Sequence, residues 1–161
     1  MLMKLNRLNE DSTSILRNLS LLPISGVSKS AFKTWLELDS LKNVNELIRY
    51  GIINEDTENK TIALHPLIQE VAIAETIPTV SDCHVMLNHL HLICLAHGLD
   101  VKRPATVMEC LKSINRHIII DNKAYYLLFL QDMFPYFDKY LDTDYLPELV
   151  YRMEYVMKLM D

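Results

Sequence analysis

At Leu64-His65-Pro66 the hydrophobic pattern of this chain changes period. Thr61-Ile62-Ala63-Leu64 before it is β-prone, whereas Leu67, Ile68, Val71 and Ala72 after it recur at helical spacing. Proline lacks an N–H and holds φ near roughly −65°, so it suits the first turn of a helix and not a central strand. His65 therefore stands at a strand-to-helix junction. There a side chain and the free N–H groups of a helix start can face one ligand.

The residues on either side of the junction decide the fold class. Asp11-Ser12 is a candidate cap, and Ile15, Leu16, Leu19 and Leu22 follow at helical spacing up to Pro23. Ser25-Gly26 signals a turn. Ser28 as an N-cap places Val27 and Phe32 at the two positions of a hydrophobic staple, with Trp35 and Leu36 on the same stripe and an end near Leu38. Asp39 or Ser40 opens a third helix through Leu41, Val44, Leu47 and Ile48, and Gly51 is placed to close it in the left-handed conformation. Ile52-Ile53-Asn54-Glu55 and Thr61-Ile62-Ala63-Leu64 flank the polar stretch 56–60, which predicts a β-hairpin. Three helices followed by a hairpin is the order of a winged-helix unit.

Thr76-Ile77-Pro78-Thr79-Val80 breaks the pattern and is the expected boundary. Beyond it a helix capped by Ser81 and ended by Gly98 is apolar on most sides. Pro104 suits the start of the next, with Val107, Met108, Leu111, Ile114 and Ile118 along it. Asp121 or Asn122 opens another, which Pro135 ends or kinks. The last runs from about Thr143 to Met160, with an apolar stripe through Leu146, Leu149, Val150, Met153, Val156, Met157 and Met160. That stripe is unbroken where the sequence stops, so it is read as a truncated packing surface or an exposed interface.

The expected fold is mainly α: a winged-helix-like unit of helices and one small hairpin over 12–77, then a helical bundle or array over 78–161, with 1–11 a flexible or truncated lead-in. With 161 residues, half of them apolar, the chain has enough for a core in one domain or two small ones. Only three glycines argue against a loop-rich or all-β chain. The net charge of −5 disfavours nucleic acid and membrane surfaces as partners. Three cysteines without CxxC spacing suit a reduced, cytoplasmic setting. The N-terminus lacks the apolar core of a signal peptide, and no apolar run approaches the roughly 20 residues that span a bilayer.

Taken together, Ile15-Leu16-Arg17-Asn18-Leu19-Ser20-Leu21-Leu22-Pro23, Gly26, Phe32-x-x-Trp35-Leu36, Leu47-Ile48-x-x-Gly51-Ile52-Ile53 and Ile62-x-Leu64-His65-Pro66-Leu67-Ile68-Gln69-Glu70-Val71-Ala72 resemble the winged-helix segment of NB-ARC (STAND-class) signalling ATPases, of the bacterial type with tetratricopeptide repeats. The resemblance implies that the second half corresponds to the helical connector toward those sensor repeats. In this family a Met-His-Asp motif holds a histidine against the β-phosphate of ADP and keeps the protein off. Leu64-His65-Pro66 occupies that place, with proline where the family has the aspartate. The implied role is regulatory and non-catalytic, coupling a nucleotide-binding core to C-terminal repeats. His65 would contact ADP, and ADP or ATP with magnesium would be the cofactor of the parent protein only. The chain itself has no GxxxxGK[ST] loop and no implied cofactor of its own. A further protein partner or self-association is also expected.

Other readings use other residues. As a DNA-binding regulator, the alternative, a winged helix would present Lys42, Glu46 and Arg49 to the major groove beside a wing bearing Glu55, Asp56, Glu58 and Lys60. That acidic wing would repel phosphates. Cys83, His84, His89, His91, Cys94 and His97 crowd one helix, and the last three share a face, but zinc usually takes its ligands from two chain segments. These side chains are read as core and helix-surface residues, with no metal site. No cysteine or serine nucleophile lies in a local motif. The aromatic group Tyr125, Tyr126, Phe129, Phe134, Tyr136, Phe137 and Tyr140 reads as core and inter-helix packing.

Overall fold

The computed structural model describes residues 5, 7–96, 104–140 and 142–161. Among these, the chain is mainly helical with one small three-stranded antiparallel sheet. In chain order the elements are α1 (Glu10–Ser20), β1 (Val27–Ser28), α2 (Lys29–Trp35), α3 (Lys42–Arg49), β2 (Ile53–Asp56), β3 (Thr61–Leu64), α4 (Pro66–Thr76), α5 (His84–Leu95), α6 (Pro104–His117), α7 (Lys123–Lys139), a 3-10 turn (Thr143–Tyr145) and α8 (Leu146–Met160).

The hairpin forms as the sequence predicts, with Ile53 opposite Leu64 and Asp56 opposite Thr61. Asp56 organises its turn: Oδ1 accepts from the Glu58 and Asn59 N–H groups at 3.0 Å each, and Oδ2 from the Asn59 amide at 2.7 Å. Those bonds, the Asn59 side chain foremost, hold the Asp56 carboxyl below its ordinary pKa. The third strand is new. Val27–Ser28 pairs with Ile62 and Thr61, giving the order β1-β3-β2. A two-residue strand has no periodicity to read, so pairing with β3 alone defines it.

Helix ends follow side-chain chemistry. Ser28 caps α2 by accepting from the Ala31 N–H, and Val27 and Phe32 are both buried, as a staple requires. α1 starts earlier than Asp11-Ser12 suggests, because Asn9 Oδ1 accepts from the Ser12 N–H at 2.8 Å and takes the cap. α3 begins at Lys42, after Leu41, without a side-chain cap bond. It closes as expected at Gly51, whose φ is 70°. There the Gly51 N–H bonds the Ile48 carbonyl and the Ile52 N–H the Leu47 carbonyl, at 2.9 and 3.0 Å. This is the Schellman pattern. A Cβ at Gly51 would meet nothing within 4 Å, so only backbone strain opposes a side chain there. Gly51→Ala should therefore destabilise by about 1 kcal/mol, measured by urea unfolding. A neutral result would mean that the turn relaxes.

α2 closes the same way with a non-glycine residue. Glu37 sits at φ 53°, and the Glu37 and Leu38 N–H groups bond the Thr34 and Lys33 carbonyls. α4 ends at Ile77, a β-branched residue at φ 47° and directly before Pro78.

The boundary stretch is tied down. The Ile119 N–H bonds the Pro78 carbonyl at 2.9 Å and the Val80 N–H the Ile119 carbonyl at 3.0 Å, a parallel bridge between Thr79 and Ile119. Asp121 Oδ1 accepts from the Ser81 N–H, so Ser81 is drawn to the α6–α7 loop and Cys83 precedes α5 in its place. The expected helix end at Gly98 lies outside the described residues. Pro135 does not end α7, which continues to Lys139. Tyr136 and Phe137 are fully buried just past it, and their packing outweighs the lost hydrogen bond.

Buried side chains from both sides of Pro78 form one connected core, from Ile15 and Phe32 to Phe129 and Val156. Tyr126, Phe129, Tyr136 and Phe137 lie inside it, as the aromatic pattern predicts. On α8 only Leu149 and Val156 are buried, while Val150, Met157 and Met160 are exposed. No described helix is long and apolar enough to cross a membrane.

Candidate functional site

Pairing with Ile53 carries β3 as far as Leu64, and His65 (φ −62°, ψ 142°) then serves as the N-cap of α4. Pro66 fills the first helical position, where its missing N–H leaves no bond unmade. The first backbone bond of the helix runs from the Gln69 N–H to the His65 carbonyl, at 2.9 Å. His65 Nδ1 accepts from the Leu67 N–H at 3.3 Å. A neutral imidazole with an accepting Nδ1 carries its proton on Nε2. His65 is exposed, so this Nε2–H is not taken up by the protein core.

A shallow cleft of about 340 Å³ opens beside the ring, bounded by Ile24, Ser25 and the hairpin residues Asn54, Glu55 and Asp56. Of the two carboxylates that border the cleft, only Glu55 is paired with a cation, and Asp56 keeps its negative charge. Glu55 Oε1 lies 2.6 Å from Lys29 Nζ, and Asp56 is held by its own turn. The chemistry available is then one imidazole donor plus the partial positive charge of an α-helix start. Two apolar side chains, Ile24 (53% exposed) and Leu67 (61%), stand uncovered on the elements that flank the ring. Of the apolar stripe Leu67, Ile68, Val71 and Ala72, Ile68 and Ala72 are buried as their spacing predicts and Val71 is half-buried, but Leu67 faces outward and Gln69 is buried as well.

Gln69 is the residue that the hydrophobic pattern missed. It is 8% exposed, and its Nε2 donates to the Ser20 and Leu22 carbonyls at 2.9 Å each. It thereby satisfies carbonyls at the C-terminal end of α1. Arg17 returns the arrangement by donating from Nε to the Thr76 carbonyl at the end of α4, at 2.9 Å. Each helix thus gives a side-chain bond to carbonyls at or just past the other's C-terminal end. A polar residue in step with the buried positions 68 and 72 was the only available signal.

The histidine-rich helix divides its side chains among separate partners. His91 Nε2 lies 2.6 Å from Asp132 Oδ2, His89 Nε2 lies 2.9 Å from Glu37 Oε1, and the His84 ring packs on Tyr125. Among the described residues no three His, Cys, Asp or Glu side chains gather as a metal would require, and His97 lies outside them. Burial pushes the thiols of Cys83, Cys94 and Cys110 up to about 12, so they are thiols and not thiolates at neutral pH. On α3, Arg49 pairs with Glu46 at 3.6 Å, which reduces the positive charge that a recognition helix would offer. The chain matches no protein-family model, no curated protein and no solved structure.

Proposed function

We propose that this chain is a non-catalytic regulatory and coupling segment of a nucleotide-switch protein of the NB-ARC (STAND) class. In the parent protein it would stand between a nucleotide-binding core and C-terminal sensor repeats, with His65 as the contact to the phosphate of ADP. The observation that carries the reading is the geometry of His65. It is an exposed N-cap whose Nδ1 is bound to its own helix, which leaves Nε2–H as a donor that the core does not take up. The uncovered Ile24 and Leu67 give a nucleotide-binding core an apolar surface to cover. Pro66 costs the site only an amide that a helix start leaves free.

The test is ADP affinity in the full-length parent. His65→Ala should weaken ADP about tenfold, the loss of one charge-assisted hydrogen bond of roughly 1.5 kcal/mol. Unchanged affinity sinks the proposal. The same variant also loses the Nδ1 cap, so His65→Asn serves as its control: it retains a capping oxygen but not a donor with the reach of Nε2. It should bind ADP as weakly as the alanine variant while folding normally. The DNA-binding alternative predicts instead a duplex affinity that falls steeply with salt.

A further inference from the structure

We infer that the outer face of α8 pairs antiparallel with the same face of a second copy of this chain. α8 turns Leu149 and Val156, seven residues apart, into the core. Away from that line it exposes two apolar stripes. Val150 and Met157, seven apart, form one, at 41% and 45% exposed. Tyr151 and Tyr155, four apart, form the other, at 65% and 43%. Tyrosine and methionine are side chains that interfaces favour over ordinary surface. Arg152 lies 5.5 Å from the centre of the Tyr155 ring and steadies it.

The charges on the helix select a second copy as the occupant. α8 has an acidic residue in its first turn, Glu148, and a basic one in its last, Lys158, with Glu154 between them. All three are exposed, and none of them forms an ion pair among the described residues. Glu148 shares the line of Tyr155, seven residues on, while Glu154 and Lys158 lie between the two apolar stripes. A parallel copy would set Glu148 against Glu148 and Lys158 against Lys158. An antiparallel copy, with the two helices fully overlapped, reverses this. Lys158 then comes beside Glu148 of the second copy, and the two-fold axis repeats the pair at the other end. These charges also suit the helix dipole. That explains their presence, but not the apolar stripes beside them.

In the same register Val150 meets Met157 of the second copy on one flank. Glu154 comes level with Tyr151 of the second copy, whose hydroxyl is a donor for the carboxylate. Each contact occurs twice, as an isologous interface requires. α5 also exposes apolar side chains, Val85, Leu92 and Leu95, but it carries no Lys, Arg, Asp or Glu to set a register. One helix pair buries less than the roughly 1,600 Å² of a standard interface, so the dimer is weak and forms with rising concentration. The pairing is independent of any nucleotide contact at His65.

The test is sedimentation equilibrium of the 161-residue protein up to about 200 μM, a range that resolves weak dimers. A reversible monomer–dimer equilibrium is expected. Met157→Asp should weaken it at least about tenfold, and Leu92→Asp on α5 should leave it unchanged. Lys158→Glu alone should weaken it about tenfold, since each of the two ion pairs becomes a like-charge contact. Glu148→Lys alone should do the same, and Glu148→Lys combined with Lys158→Glu should dimerise like the parent. All four positions are exposed, and circular dichroism checks that each variant folds. The proposal is overturned if the protein stays monomeric over this range, which leaves the face to a different partner, or if the double variant dimerises no better than either single one. A dimer indifferent to Met157→Asp overturns it as well.

Discussion

Gln69→Leu is expected to lower the stability of this fold by about 2–4 kcal/mol, although it exchanges a buried polar side chain for an apolar one of similar size. The reason lies on the partner side of the bonds. Gln69 Nε2 serves the carbonyls of Ser20 and Leu22 together, and leucine would leave both facing an apolar surface. Each unsatisfied buried carbonyl costs roughly 1–3 kcal/mol, which exceeds what the added apolar burial returns. Gln69→Glu should be worse, since it turns carboxylate oxygens toward carbonyl oxygens. Urea unfolding followed by circular dichroism measures both. If the leucine variant loses under about 1 kcal/mol, the carbonyls have found water and the capping account is wrong.

The second large effect concerns Asn115, which is 4% exposed on α6. Its Oδ1 accepts from the Tyr126 hydroxyl at 2.6 Å, and its Nδ2 donates to the Tyr145 hydroxyl at 3.1 Å. One amide thus joins α6 to α7 and to the 3-10 turn that leads into α8. Burial pushes the Tyr126 phenol well up, so the phenol is a neutral donor at any ordinary pH. Asn115→Ala should cost about 2–4 kcal/mol, because it strands that fully buried O–H and opens a small cavity. Tyr126→Phe strands the amide oxygen instead and should cost about 1–3 kcal/mol. The double variant should be less destabilised than the sum, since each change removes the group that the other orphans. Additive losses in a double-mutant cycle would show that the bond contributes nothing of its own.

Much of the fold was legible because it rests on local rules. Ser28, Gly51 and Asn122 are residue types whose own chemistry starts or stops a helix, and each does so where the sequence placed it. The hairpin is readable from two β-prone runs around a polar turn. What was misread depends on distant partners. Ser81 is a good cap by type, but Asp121 takes its N–H from across the fold. Pro135 by type ends or kinks a helix, and the buried aromatic rings beside it decide that α7 does not end there. β1 has only two residues and exists because β3 has a free edge beside it.

The candidate sites divide in the same way. His65 was visible because a strand, a proline and a helix meet around it, and the backbone dictates such a junction locally. Gln69 and Asn115 carry no spacing that sets them apart. Their roles arise where α4 meets α1 and where α6 meets α7. The sequence alone therefore determined the helices, the hairpin and the histidine at their junction, since period, caps and turns act within a few residues. Only the tertiary structure decided which polar groups lose water and must find one another, because burial depends on segments far apart in the chain.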